Sequence, residues 1–188
     1  MRRKTFDGIL TAGGAILTVM LLVAGALLMW GAVFTQTQVH NQLAQQDIYF
    51  PTAAAFANAK PGTEVTPGMK PYLLQYAGQE VLTGAQAEAY ADHFIDVHLS
   101  EMPYHGVYSQ ISNAARANPK ETSLTGLEST SFQGTTLRGL LLEAYAFGTF
   151  GSIALIASIV SFLLGALSLV LTILGYLHWR RTSPTVQI

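Results

Sequence analysis

The sequence contains no cysteine and few charged residues. The lack of cysteine excludes disulfides, thiolate nucleophiles, iron–sulfur clusters and cysteine-based zinc sites. Only 11% of the 188 residues are charged, whereas about 25% is typical of soluble domains. The shortage is concentrated in residues 8–46 and 144–179, which contain no Asp, Glu, Lys or Arg. Two such stretches in one short chain indicate two membrane spans.

The first apolar run extends from Gly8 to Phe34 and is long enough to cross a bilayer. As a helix it reaches ~40 Å, whereas the hydrocarbon core is about 30 Å thick. The basic residues before it would also suit a secretory signal peptide. However, the run is about twice the usual length of a signal-peptide core, and no small-residue cleavage pattern follows it. We therefore expect residues 8–34 to be the first transmembrane helix, an uncleaved signal anchor.

The second apolar run begins at Phe147, and residues 147–177 are predicted to form the second transmembrane helix. Aromatic residues and the basic pair Arg180 and Arg181 follow it, which is typical of a membrane interface. Neither predicted span contains an ionisable residue. Because such residues usually mark proton relays and ion paths in membrane proteins, a carrier or channel function is disfavoured.

Basic residues cluster at both ends of the chain, and the positive-inside rule places such clusters in the cytoplasm. We therefore predict cytoplasmic residues 1–7 and 178–188 and an extracytoplasmic domain of residues 35–146, in a protein of the plasma membrane. That domain carries ten acidic and five basic side chains. Its net negative charge disfavours nucleic acid as a partner.

Small residues recur at intervals of four in the second span, at Ala157, Ser161 and Gly165. Small residues at this spacing let a second helix approach closely. We therefore predict a helix-packing interface at these three residues. The partner helix would be the chain's own first span, a second copy or another membrane protein.

The best-defined helix of the extracytoplasmic domain is predicted between Thr83 and Glu101. Thr83 and Gln86 form a capping-box pattern, and Pro103 ends the helix. At 100° per residue, four apolar side chains share one face and three acidic side chains share the opposite, solvated face. The apolar set is Ala87, Tyr90, Phe94 and Val97, and the acidic set is Glu88, Asp92 and Asp96.

The remaining segments of the domain are predicted with less regular structure. Four prolines between residues 50 and 71 indicate an extended, turn-rich segment that runs over the domain surface. A second helix is expected from Gly106 to Ala117, followed by an irregular polar segment at residues 120–134. From Thr135 the chain contains no helix breaker, so a helix should continue into the second span.

Three histidines, His93, His98 and His105, form the one grouping in the sequence that suits metal chemistry. His93 and His98 would lie about 140° apart on an α-helix, so they cannot bind one ion from a single face. His98 and Glu101 are three residues apart and could converge, with His105 folding back beyond Pro103. Such a set would suit zinc or iron, or copper if Met102 joined it. We predict no metal or cofactor and keep this cluster as the alternative.

Three segments, Tyr76–Gln79, Thr83–Leu99 and Thr136–Gly151, resemble an uncharacterised family of actinobacterial two-span membrane proteins. The resemblance extends over nearly the whole chain and implies a signal anchor, an outer segment and a second span. Some members are labelled ring-opening dioxygenases. A non-haem iron site needs a facial set of His and carboxylate ligands, which the predicted helix geometry does not supply. No functional residue is therefore carried over.

Taken as a whole, the sequence predicts an all-α membrane protein with two transmembrane helices flanking a small, mainly helical extracytoplasmic domain. It contains neither a phosphate-binding glycine loop nor a nucleophile elbow. The predicted function is that of a structural or accessory subunit of a membrane protein assembly. Its partners would be membrane lipids and other membrane subunits or copies of itself. The alternative is a metal-binding protein or enzyme that uses His98, Glu101 and His105.

Overall fold

A computed structural model describes residues 3–183, and all regular secondary structure in that range is helical. Arg2, one of the basic residues behind the predicted topology, lies outside the described residues, as do residues 184–188. The α-helices are α1 (Arg3–Ala44), α2 (Ala53–Ala57), α3 (Lys70–Leu73), α4 (Gly84–Tyr90), α5 (Asp96–Glu101), α6 (Tyr108–Ala117) and α7 (Thr122–Arg181). A π-helix at Ala91–Ile95 joins α4 to α5, and 3₁₀ turns lie at Pro67–Met69 and Leu74–Tyr76.

Two of these helices, α1 and α7, are long and apolar enough to cross a membrane. The chain divides into two compact units. The first, here called the span pair, consists of residues 1–34 and 150–188, described in the ranges 3–34 and 150–183. The second, here called the central domain, consists of residues 35–149. Both long helices contribute residues to both units.

Within the span pair, buried and half-buried residues recur at seven-residue intervals. In α1 they include Thr11, Gly14, Thr18, Leu21, Gly25 and Leu28, and in α7 they include Ala154, Ser158, Ser161, Gly165, Ser168, Thr172 and Gly175. A seven-residue repeat keeps one stripe of each helix against its neighbour and is typical of shallow, left-handed crossings. We call this stripe the seam. Most of its members are small, so the two backbones approach closely.

The central domain is built around a core of large apolar side chains. The buried members are Val39, Leu43, Phe50, Phe56, Val65, Met69, Leu73, Val81, Ala87, Ala91, Ile95, Leu99 and Leu141. Five of these come from residues 50–73, so the expectation that the proline-rich segment runs over the surface is wrong. The prolines divide this segment into short helices, and the apolar residues between them supply the core.

Two other sequence-based expectations for the central domain need correction. The polar segment at residues 120–134 is helical, because α7 begins at Thr122. The buried side chains of Leu124 and Ser131 hold this stretch against its neighbours despite its many serines and threonines. The helix expected from Gly106 begins two residues later, at Tyr108, because Gly106 belongs to the turn that precedes α6.

Candidate interaction surfaces

The helix predicted from Thr83 to Glu101 exists, but it contains a π-helical turn at Ala91–Ile95. The capping box of Thr83 and Gln86 is present at its start, and Glu101 is its last residue. Hydrogen bonds in a π-turn run from residue i to i+5, so the turn holds one residue more than an α-turn. Angular arguments that assume 100° per residue therefore fail across it.

The π-turn changes which residues face the core. The fully or nearly fully buried positions are spaced by four, at Ala87, Ala91, Ile95 and Leu99. The prediction that Tyr90, Phe94 and Val97 share the buried face is therefore wrong, since these three are only partly buried beside the core. These three side chains lie instead at the edge of the core.

Aromatic rings at this edge are in contact one after another. The ring centroid of Phe50 lies 5.1 Å from that of Tyr76 and 5.4 Å from that of Tyr90. The centroid of Phe94 lies 4.7 Å from that of Tyr90 and 4.6 Å from that of His98. Burial, with a smaller contribution from the charge of Glu64, raises the pKa of the Tyr90 phenol above its ordinary value. The row of rings packs the helix against the proline-rich segment. The raised pKa keeps the Tyr90 phenol neutral at physiological pH.

The acidic face of the helix is not simply solvated. Arg138 of α7 donates from Nη2 to Oδ1 of Asp92 at 2.7 Å, and its Nε lies 3.3 Å from Oδ1 of Asp96. The second contact lacks hydrogen-bond geometry, so Nε is buried without a hydrogen-bond partner among residues 3–183. The two aspartates are four residues apart across the π-turn and both reach one guanidinium. This pairing ties the irregular helix to α7.

Each of the three histidines contacts a different group. His93 stacks on Tyr72 with ring centroids 3.7 Å apart, and His98 donates from Nδ1 to the carbonyl oxygen of Phe94 at 2.6 Å. His105 Nδ1 lies 3.4 Å from the carbonyl oxygen of Ser100. Within residues 3–183, no three His, Asp or Glu side chains are grouped so that they could hold a metal ion. The structure therefore does not bring His98, Glu101 and His105 together as a ligand set.

A left-handed turn follows the end of α5. Tyr104, His105 and Gly106 have φ values of 58°, 52° and 66°. Left-handed backbone costs a residue with a side chain of the order of 1–2 kcal/mol, so two such residues in succession store strain. A β-carbon on Gly106 would lie 2.5 Å from the carbonyl oxygen of Leu99, so only glycine fits there.

Contacts with α7 and with the end of α5 hold this turn in place. The Ser131 hydroxyl, which is fully buried, donates to the carbonyl oxygen of Gly106 at 2.6 Å. The Leu99 side chain lies against Gly134 of α7, where a β-carbon would come within 2.8 Å of it. The turn is thus fixed by α7 on one side and by the end of α5 on the other.

Large apolar side chains are exposed beside the turn. They are Tyr104, Val107, Tyr108 and Phe132, which we call the turn cluster. Tyr104 and Phe132 are 46% and 54% exposed, and the rings of Tyr108 and Phe132 are in contact at 5.5 Å. Exposed aromatic residues of this kind are enriched at protein interfaces. Sequence reasoning missed this cluster, and the one available signal was the glycine that follows Pro103, Tyr104 and His105.

The residues predicted as a helix-packing interface lie on or near the seam of the span pair. A β-carbon on Gly165 would lie 3.0 Å from Leu22 Cδ2 and 3.5 Å from Leu21 Cβ of the first span. Ser161 and Ala157 are half-buried. The chain's own first span therefore lies against Gly165. Association with a further helix through these residues stays a prediction.

Hydroxyl groups add directional contacts to the seam. The fully buried Ser158 donates from Oγ to the carbonyl oxygen of Gly25 at 2.8 Å. Thr18 Oγ1 donates to Ser168 Oγ at 2.9 Å and also lies 2.8 Å from the carbonyl oxygen of Gly14. The bonds that cross between the two helices help to align them in apolar surroundings.

The chain matches no family model, and no curated protein or solved structure is significantly similar to it. The resemblance to actinobacterial two-span membrane proteins therefore stays a prediction.

Proposed function

We propose that the protein is an integral membrane protein with two spans that serves as a structural or accessory subunit of a membrane assembly. In this proposal the span pair anchors the chain, and the turn cluster on the central domain binds the partner. The partner is another membrane subunit or a second copy of the chain.

The exposure of the two long helices supports the membrane part of the proposal. Only 17% and 11% of their most apolar windows are buried. A core helix of a soluble protein would be mostly buried, whereas here Leu27, Trp30, Phe150 and Leu163 are each at least 64% exposed. Leaving this much apolar surface in water is unfavourable at about 25 cal/mol per Å². A lipid environment removes that cost.

The turn cluster is the observation that carries the subunit part of the proposal. At this place Tyr104 is exposed on left-handed backbone, beside the exposed rings of Tyr108 and Phe132. Strain of this kind persists only where the surrounding structure imposes it, and it is concentrated at functional positions. The turn holds Tyr104 outward at a fixed position, which lowers the entropy cost of binding a partner.

Site-specific photocrosslinking in intact cells tests this role. A photoreactive phenylalanine analogue at Tyr104 or Phe132 should give a discrete adduct with a membrane protein or with a second copy. The same analogue at Leu74, an exposed apolar residue outside the turn cluster, is the matched control. Adducts of equal yield at all three positions, or none at the turn cluster, would contradict the proposed role.

We further propose that both ends of the chain lie in the cytoplasm and that the central domain lies outside. Arg3 and Lys4 begin α1, and Arg180 and Arg181 end α7, which agrees with the positive-inside rule. A reporter tag after Ile188 should be inaccessible from outside intact cells. The same tag should become accessible when the membrane is permeabilised. An accessible tag on intact cells would reverse the topology.

A further inference from the structure

A cleft of ≈ 340 Å³ lies within the span pair, near the start of α1 and the end of α7. Its volume is within the range of sites for small ligands, about 300–1,000 Å³. Leu10, Leu17 and Leu171 provide apolar walls, while Asp7 and His178 lie at one end. The cleft therefore has a charged end and an apolar body, which suits an amphiphile.

The carboxylate at the charged end has no permanent counter-charge. The Asp7 side chain is only 16% exposed, and its Oδ2 lies 3.7 Å from Nε2 of the more exposed His178. The Thr182 hydroxyl donates to the same oxygen at 3.3 Å. Among residues 3–183, no lysine or arginine lies within 4.0 Å of this carboxylate. A half-buried carboxylate in this situation favours a cation that donates hydrogen bonds.

The hydroxyl groups in the lining of the cleft are not available to a ligand. Thr11 Oγ1 donates to the carbonyl oxygen of Asp7 at 2.8 Å, and Thr172 Oγ1 is buried against Gly14. Beyond the charged end, the cleft therefore offers a ligand mainly the apolar side chains of Leu17 and Leu171.

We propose that this cleft binds one phospholipid with a primary-amine head group. The ammonium group donates to the Asp7 carboxylate, and an acyl chain packs on Leu17 and Leu171. A choline head group cannot donate to Asp7 because its nitrogen carries no hydrogen, and an anionic glycerol head group is repelled by the carboxylate. The inference rests on the proposed membrane insertion of the span pair.

Native mass spectrometry of the full-length protein in mild detergent tests the proposal. Phosphatidylethanolamine, phosphatidylcholine and phosphatidylglycerol with identical acyl chains are added separately, and the lipid-bound fraction is measured. Phosphatidylethanolamine should be retained about tenfold more than phosphatidylcholine, as expected for one charge-assisted hydrogen bond. Asp7→Asn should abolish this preference, whereas Asp47→Asn in the central domain should preserve it.

A second variant guards against a folding defect in Asp7→Asn. Asp7→Glu keeps the carboxylate, so it should keep the preference for phosphatidylethanolamine that Asp7→Asn loses. Equal retention of phosphatidylethanolamine and phosphatidylcholine by the wild type, or an unchanged preference in Asp7→Asn, would overturn the lipid proposal. Release of the protein from membranes by alkaline carbonate would instead overturn the membrane insertion on which it rests.

Discussion

The span pair and the central domain are both helical, but they are packed by opposite means. The seam of the span pair consists mostly of Gly, Ala, Ser and Thr, and hydroxyl groups bridge between its helices. The core of the central domain consists of large apolar and aromatic side chains such as Phe50, Phe56 and Met69. The span pair turns its large apolar side chains outward, whereas the central domain turns them inward.

The surroundings of a helix decide which interactions hold it to its neighbour. In water, burial of large apolar side chains drives packing. In lipid, an exposed leucine is already in an apolar environment, so close backbone contact and hydrogen bonds contribute instead. The two regions also differ spectroscopically, because Trp30 and Trp179 lie in the span pair and all tyrosines except Tyr176 lie in the central domain. Each region can therefore be followed separately.

The largest effect is expected from Gly106→Ala in the central domain. The substitution adds left-handed strain and places a β-carbon 2.5 Å from the Leu99 carbonyl oxygen. We expect a loss of about 2–5 kcal/mol in the free energy of unfolding, measured by urea titration with the near-ultraviolet tyrosine signal. Gly62→Ala is the control, since Gly62 also has a positive φ but open space around it. An equal loss in both variants would show that strain alone matters.

A smaller effect is expected when close approach is blocked in the seam. Gly165→Leu would place a bulky side chain against Leu21 and Leu22, so the span pair should lose about 1–2 kcal/mol. The measurement is tryptophan fluorescence during denaturation in detergent. Leu164→Ile, at an exposed position on the same helix, should behave like the wild type. If Gly165→Leu and Leu164→Ile unfold at the same denaturant concentration, close packing in the seam does not stabilise the span pair.

The ion pairs of Arg138 test the polar contribution to the central domain. Arg138→Gln removes the charge that Asp92 and Asp96 share, and we expect a loss of about 0.5–1 kcal/mol because the groups are a third or more exposed. The loss should shrink in 1 M salt, where the screening length is about 3 Å. Lys120→Gln, at an exposed lysine, controls for the change in net charge. A loss that salt leaves unchanged would mean that Arg138 acts through packing.

The smallest effect is expected from a single hydroxyl in the seam. Ser158→Ala removes the hydrogen bond to the Gly25 carbonyl and should cost about 0.6 kcal/mol, the average for such bonds between membrane helices. Ser161→Ala, at a half-buried neighbour on the same helix, should cost less. A larger loss in Ser161→Ala would show that burial of the small side chain outweighs the hydrogen bond in this region.

The sequence was sufficient to predict the long, strongly patterned elements. The two apolar helices, the capping box at Thr83 and the helix end before Pro103 are each determined by neighbouring residues. The interval of four in Ala157, Ser161 and Gly165 pointed to the correct side of α7, but it missed the seven-residue repeat. That repeat becomes visible only when Ser158 and Thr172 are added, because they lie seven residues before and after Gly165.

The features that the sequence did not predict all depend on distant contacts. The helix at residues 122–134 has many poor helix formers, and its stability comes from burial of Leu124 and Ser131. The left-handed turn depends on the Ser131 hydroxyl and on the close approach of Gly106 to Leu99. Local propensity contains no information about either contact. The turn cluster was missed for the same reason, because exposed tyrosines are not distinctive until the turn is known.

The π-turn at Ala91–Ile95 lets this helix take up one residue without moving the residues around it. Because the turn holds one residue more than an α-turn, the residues beyond it keep the orientation that a continuous α-helix one residue shorter would give them. Deletion of one residue within the turn should therefore leave Leu99 in the core and Gly106 beside Ser131. Deletion of one residue from the regular α-helix of α4 would instead rotate all residues beyond it by about 100°. Changes of length in this helix are therefore expected to be tolerated best within the π-turn.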